Sequence, residues 1–249
     1  MKGVHLVVGA TSGIGRAVAY ELARKGNPLI LSARDKSLLE KIAQDIRIRF
    51  DVEVMVKPFD VSDLDACEDF AASCLQTSIG DLHGVVCSQG YMAEQTDAAD
   101  DFNLAERMIS VNYTANVAIL NRIAKHLEGR KSGCICGISS VAGDRGRQSN
   151  FIYGSTKAAF TCYLQGLRNR MFKHGVSVLT VKPGFVDTAM TWGILDPDSP
   201  MVATSTSVAK DIVRAIERKK HTIYTPFFWR WIMAIICRIP ETIFKRLSM

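Results

Sequence analysis

Tyr153 and Lys157 stand four residues apart in Tyr153-Gly154-Ser155-Thr156-Lys157. Side chains at i and i+4 share one face of a helix, so this spacing aims a phenol and an ammonium into one cleft. An ammonium beside a phenol favours the phenolate, so the sequence predicts a tyrosine pKa lowered from its ordinary value. Such a group can give or take a proton near neutral pH. Taken alone, the pair is as readily a surface contact. Ser140, in Ile138-Ser139-Ser140-Val141-Ala142-Gly143, adds a hydroxyl at the end of an apolar run. No Gly-x-Ser-x-Gly turn surrounds it, so a hydrolase nucleophile is not indicated.

A second kind of chemistry lies at the start of the chain. Gly9-Ala10-Thr11-Ser12-Gly13-Ile14-Gly15 follows the apolar run Val4–Val8 and opens a helical stretch. Glycines let the backbone turn tightly and let a pyrophosphate reach the helix N-terminus, where free N–H groups favour negative charge. A glycine trio by itself is weak evidence; the strand–turn–helix setting strengthens it.

These residues need elements to position them. Apolar strands are expected at Val4–Val8, Leu29–Ser32, Val52–Lys57, Gly84–Cys87, Cys134–Ser139 and Val176–Val181. Helical stretches alternate with them at Ile14–Lys25, Leu38–Phe50, Asp63–Gln76, Ala99–Leu127 and Tyr153–Phe172. Short strands alternating with longer helices give βαβ units, a parallel sheet and an α/β fold. Right-handed crossovers place helices on both faces, which makes one doubly wound domain over residues 1–225. Asp60-Val61, Ser140 and Pro183-Gly184-Phe185-Val186-Asp187-Thr188 then fall beyond strand ends, where open α/β sheets bind ligands. Asn112 sits inside the long helix.

The joint order of the glycine motif, Ser140, Tyr153, Lys157 and Pro183-Gly184 resembles the short-chain dehydrogenase/reductase superfamily, of its shorter, classical type. The resemblance runs from residue 3 to about residue 225. It implies a Rossmann-type domain, a nicotinamide cofactor and hydride transfer between an alcohol and a carbonyl. By that similarity Tyr153 is the general acid in reduction, and Ser140 orients the carbonyl oxygen. Lys157 would hold the nicotinamide ribose and depress the Tyr153 pKa, and Asn112 would support a water that relays protons to Lys157. Gly9, Thr11, Ser12, Gly13, Ile14 and Gly15 are the implied phosphate loop. Asp60, Val61, Ser88, Gly90, Pro183, Gly184, Val186 and Thr188 are further implied cofactor contacts.

Two positions depart from the family pattern. Its threonine before the first glycine is Val8 here, and its Asn-Asn-Ala-Gly is Cys87-Ser88-Gln89-Gly90. The expected sheet order makes these strands neighbours, so the two changes are linked. At the tip of the second strand, in Ser32-Ala33-Arg34-Asp35, Ala33 holds the place of the acid that would bind ribose hydroxyls. Arg34 can fork onto a 2′-phosphate. NADP(H) is therefore preferred and NAD(H) stays open, with Asp35 as the ribose acid if the register differs by two.

Composition sets the outer limits. The 249 residues are 47% apolar and 22% charged, which excludes disorder and a polytopic membrane protein. No secretory signal is read at the N-terminus, and seven scattered cysteines suit a reducing, cytoplasmic setting. Cys134 and Cys136 read as core material and no metal site is expected. His5, His83, His126, His174 and His221 suit strands, loops and helix surfaces. The net charge of +6 sits wholly in residues 214–249, which hold eight basic and two acidic side chains. The neutral body does not suggest a nucleic-acid partner.

Met190, Trp192, Ile194, Leu195, Met201 and Val202 fall where the family places a substrate lid, and they make that lid apolar. Residues 226–249 form an apolar and basic tail, with Pro226 and Pro240 bracketing a helix too short to span a bilayer. It suits a helix lying in the membrane interface, or a contact to a second subunit or the pocket of a homodimer or homotetramer. The leading reading is an NADP(H)-dependent reductase of an apolar ketone or aldehyde. The others are a catalytically silent NADP-binding regulatory protein, an epimerase or dehydratase on the same fold, and a keto-sugar reductase acting on a polyprenyl-phosphate-linked sugar.

Overall fold

The structure is a computed structural model and describes residues 3–191, 193, 196 and 199–247. The first half runs β1 (Val4–Val8), α1 (Gly13–Arg24), β2 (Leu29–Ser32), α2 (Lys36–Phe50), β3 (Val54–Val56), α3 (Cys67–Leu75) and β4 (Leu82–Cys87). Then come α4 (Gln95–Asp100), α5 (Phe102–Ile109), a π-turn over Ser110–Thr114, α6 (Ala115–Arg130) and β5 (Gly133–Ile138). A 3₁₀ turn at Val141–Gly143 leads to α7 (Phe151–Phe172), β6 (Val176–Pro183), β7 (Phe185–Asp187), β8 (Val202–Thr204) and α8 (Ser205–Glu217). The chain closes with β9 (Thr222–Thr225), α9 (Trp229–Ile236) and α10 (Glu241–Phe244).

Seven parallel strands make the main sheet in the order β3-β2-β1-β4-β5-β6-β9. The strands are apolar on both faces because helices cover both. Val7 packs with α1, α2 and α8 on one side, while Leu6 and Val8 pack with α3, α6 and α7 on the other. The chain order reverses between β1 and β4, and the ends of these strands open the cleft described below. This is the doubly wound, Rossmann-type sheet expected from the alternation of elements.

Three features differ from the sequence expectations. The long helix read at Ala99–Leu127 is three helices and a π-turn: extended Asp101 ends α4 and caps α5 by accepting from the Asn103 N–H, and Asn116 Nδ2 donates to the Val111 and Asn112 carbonyls at the π-turn. β9 is a seventh strand that the periodicity did not show, since Thr222–Thr225 gains its partners only from β6. The helix read at Asp63–Gln76 starts at Cys67, after Asp63 turns back onto the Ala66 N–H. Of the expected lid, Trp192, Ile194 and Leu195 lie outside the described residues.

Candidate active site

Ser140 ends the β5 crossing and starts the 3₁₀ turn, with extended backbone and its Oγ accepting from the Ala142 N–H at 3.1 Å. That leaves the Ser140 hydroxyl proton to donate, and Tyr153 is its partner. The turn lies directly on α7. A Cβ on Gly143 would come within 2.7 Å of the Ala158 nitrogen, and one on Gly154 within 2.8 Å of the Ala142 oxygen. Only glycine at both positions permits that approach, and the approach sets Ser140 beside Tyr153.

Tyr153 and Lys157 share one side of α7, as the i, i+4 spacing predicts. Lys157 is 3% exposed, its Nζ donates to the Ile138 carbonyl at 3.2 Å, and it lies 5.6 Å from the Tyr153 ring centroid. Burial pushes Lys157 down to about 8. Burial also pushes the Tyr153 phenol up to about 12, against a hydrogen bond with Ser140 that pulls it down. The expected lowering of the Tyr153 pKa is therefore corrected. Desolvation sets the direction, and the Lys157 Nζ is engaged by the Ile138 carbonyl. The protein itself presents a protonated phenol.

Asn112 lies in the π-turn and is fully buried. Its Oδ1 accepts from the Tyr91 N–H at 2.8 Å, and its Nδ2 donates to the Tyr91 carbonyl at 2.8 Å and to Thr156 Oγ1 at 3.1 Å. The side chain thus ties the loop after β4 to α7. Thr156, inside the tyrosine motif, was not singled out by the spacing argument.

The glycine loop follows β1. Gly9 has φ +82°, and both its N–H and that of Ala10 donate to the Ser32 carbonyl, at 2.8 and 3.0 Å. Ser12 caps α1 by accepting from the Gly15 N–H at 3.1 Å. Ser88 Oγ donates back to the carbonyls of Val8 (2.8 Å) and Gly9 (3.2 Å). Its hydroxyl thus joins the β1 and β4 loops where Val8 offers none, which gives the two departures from the family pattern one physical account. Gly13 lies against Thr188, and Thr191 Oγ1 ties the Val186 carbonyl at 2.6 Å.

A cleft of about 310 Å³ opens between these loops. Gly9, Thr11, Ser12, Ala33, Arg34, Asp60, Val61 and Gly90 line it. Asp35 Oδ1 accepts from the Leu38 N–H at 2.9 Å and caps α2, so its carboxylate is already engaged. Arg34 is exposed at the rim. Burial raises the Asp60 pKa, but Ser62, Arg34 and Arg107 together outweigh it and hold the carboxylate below its usual range. Arg107 also lies 4.3 Å over the Tyr91 ring; no sequence signal pointed to it. The glycine cradle, the helix N-terminus and the cationic rim fit a phosphorylated dinucleotide in shape and charge.

The short chain dehydrogenase family model matches residues 3–198. The chain belongs to the short chain dehydrogenase family. Like others of the family it is an oxidoreductase. An oxidoreductase of Mycobacterium tuberculosis, itself uncharacterised, is 30% identical over 97% of this chain and 96% of its own. Among solved structures, a short-chain dehydrogenase from Sphingobium yanoikuyae in complex with NADPH is 25% identical with a TM-score of 0.78, over 96% of this chain and 97% of that one. An alcohol dehydrogenase from the archaeon Thermococcus sibiricus, complexed with 5-hydroxy-NADP, is 27% identical with a TM-score of 0.77, over 90% and 96%.

The remaining candidates lie away from this dehydrogenase site. His5 is buried, with its pKa pushed down to about 4 by desolvation, and packs beside His83 at the opposite end of β1. Cys134 and Cys136 share one face of β5 in the core, and burial pushes Cys134 up to about 12. Among the described residues no cluster of His, Cys, Asp or Glu could hold a metal. No described helix is long and apolar enough to cross a membrane.

Proposed function

We propose that the protein reduces the ketone or aldehyde group of an apolar, membrane-resident substrate with NADP(H). The observation that carries this reading is the convergence of Ser140, Tyr153 and Lys157, with the Tyr153 phenol kept protonated by burial. Carbonyl reduction needs an acid at the oxygen, and a protonated phenol is one. A nicotinamide cofactor, when bound in the cleft, supplies the hydride. In this reading Tyr153 gives its Oη proton to the carbonyl oxygen while Ser140 donates a hydrogen bond to the same atom. Lys157, charged below pH 8, holds the ribose hydroxyls and favours the phenolate that proton transfer leaves behind. Asn112 acts by holding the Tyr91 loop and Thr156; its side-chain atoms are engaged there, so the relay expected of it is not supported by its side chain.

The glycine loop from Gly9 to Gly15, with Asp60, Val61, Gly90, Pro183, Gly184, Val186 and Thr188, would hold the cofactor. The Ser88 hydroxyl supports that loop from behind. The preference for a 2′-phosphate rests on Arg34 at the rim and on Asp35 being engaged as a helix cap. The NADPH and 5-hydroxy-NADP in the two solved relatives support the same choice.

Residues 1–225 are the catalytic domain in this reading, and residues 226–249 a tail that puts the protein on the cytoplasmic face of a membrane. Exposed Phe102, Ile109 and Phe172 on α5 and α7 suit self-association as a homodimer or homotetramer. Purified protein mixed with NADPH and a panel of apolar ketones and aldehydes tests the reading. NADPH consumption with alcohol formation is expected; tight cofactor binding without turnover of any carbonyl would return the choice to a regulatory protein.

A further inference from the structure

The tail divides its apolar side chains into two sets. On α9, Trp229 and Met233 are 3% and 1% exposed, whereas Trp231 and Ile235 are 60% and 68% exposed. Phe227, in the turn before α9, is exposed and lies edge-on to Trp231 with ring centroids 6.5 Å apart. The inner set is fully engaged. Trp229 packs on Gly184 and edge-on against Phe185 at 4.9 Å, and Met233 packs with Val141.

Arg145 fixes the far end of the tail. Its Nη1 donates to the carbonyls of Ile236 and Ile239 at 2.7 and 2.6 Å, and its guanidinium stacks 3.7 Å over Phe244. The outer stripe is therefore held outward on a helix whose inner face is already packed.

Charge identifies what covers that stripe. Arg230 lies 5.9 Å from the Trp231 ring centroid, Arg238, Lys245 and Arg246 are exposed along the same tail, and Glu241, the sole acid of residues 226–249, is bound to Arg145 at 3.0 Å. A twofold contact between copies would set this basic surface against itself. Anionic headgroups complement it, and Trp, Phe and Ile mixed with Arg suit the boundary between headgroups and acyl chains.

The geometry points to the outer face of α9 and α10 as a docking surface for an anionic lipid bilayer, with Phe227, Trp231 and Ile235 entering the lipid. This deepens the membrane-peripheral reading above and rests on it.

Sedimentation of the full chain with vesicles tests the surface, using phosphatidylglycerol mixed with phosphatidylcholine against phosphatidylcholine alone. The full chain is expected to pellet with the anionic vesicles and to be released by high salt. The double variant Trp231→Ser/Ile235→Ser should lose about tenfold or more in vesicle partitioning. Its reduction of a water-soluble ketone and its oligomer size should stay unchanged. Wild-type protein that stays in the supernatant with both vesicles overturns the proposal, as does a double variant that pellets like wild type. A variant that dissociates an oligomer, with no vesicle binding by either protein, assigns the face to a second copy instead. Pelleting without reduction of any soluble carbonyl leaves the docking surface standing and removes the reductase reading.

Discussion

At the glycine loop, Gly9 and Ala10 bond to the Ser32 carbonyl and Ser12 caps the helix three residues on. At the tail, Trp229 lies on Gly184, and Arg145 reaches carbonyls more than ninety residues away. Both regions border the site. The first is built mainly from backbone groups and short side chains, so a few local residue types specify it. The second is built from long side chains packed over large sequence separations. The comparison teaches that the cofactor end rests on backbone groups and short hydroxyls, Ser88 among them, while the tail beside Ser140 rests on long side chains packed across the fold.

Substitutions at the two ends should therefore behave differently. The broadest effect is expected at Lys157, which serves both. Lys157→Met keeps the buried stem and removes the charge, and should lower kcat on the order of 10³-fold while also weakening cofactor binding. Turnover and fluorescence titration of the cofactor measure the two losses separately; unchanged cofactor affinity would confine Lys157 to the acid.

At the cofactor end, Arg34→Asp places a carboxylate where, in the proposed reading, a forked cation would face a 2′-phosphate. NADPH affinity should fall about 10–100-fold, with NADH affected far less. If wild-type protein already prefers NADH in the same titration, Arg34 is not the phosphate contact.

The pH dependence sharpens the link between the ends. Burial pushes Lys157 down to about 8 and Tyr153 up to about 12, so in reduction the charged lysine is expected to be lost first as pH rises. The kcat/KM for carbonyl reduction reports the free enzyme and should be level below pH 8 and fall above it. Lys157→Arg should move that alkaline limb upward, because a guanidinium stays charged. A limb that stays near pH 8 in the variant would assign the titration elsewhere.

The smallest effect is expected at the tail clamp. Arg145→Ala leaves the Ile236 and Ile239 carbonyls without this donor and should cost about 1–3 kcal/mol in thermal stability. Loosening the turn beside Ser140 should lower kcat by roughly threefold to tenfold with cofactor affinity unchanged. A matching loss of cofactor affinity would show that the two ends are not separable.

Legibility in the sequence follows the same division. The β/α alternation, the glycine loop and the Tyr153–Lys157 face were all readable, because each depends on spacing within a few residues. The π-turn at Asn112 was not, since Asn112 is held by the Tyr91 backbone and Thr156. β9 was not, because its strand character comes from pairing with β6. The direction of the Tyr153 pKa was misread for a related reason. Residue spacing shows that an ammonium is near, but not how deeply both groups are desolvated. Arg145 carries no local signal at all, and the hydroxyl link from Ser88 back to Val8 and Gly9 became visible only when the two strands were placed side by side.

The central claim is that a half-buried, protonated Tyr153 is the acid of carbonyl reduction. Tyr153→Phe removes that proton and little else. Measured with NADPH and a ketone that the wild type reduces, the variant should bind cofactor within about twofold of wild type and lose about 10²–10⁴ in kcat. Near-wild-type turnover, or a loss of activity matched by a loss of cofactor affinity, would contradict it.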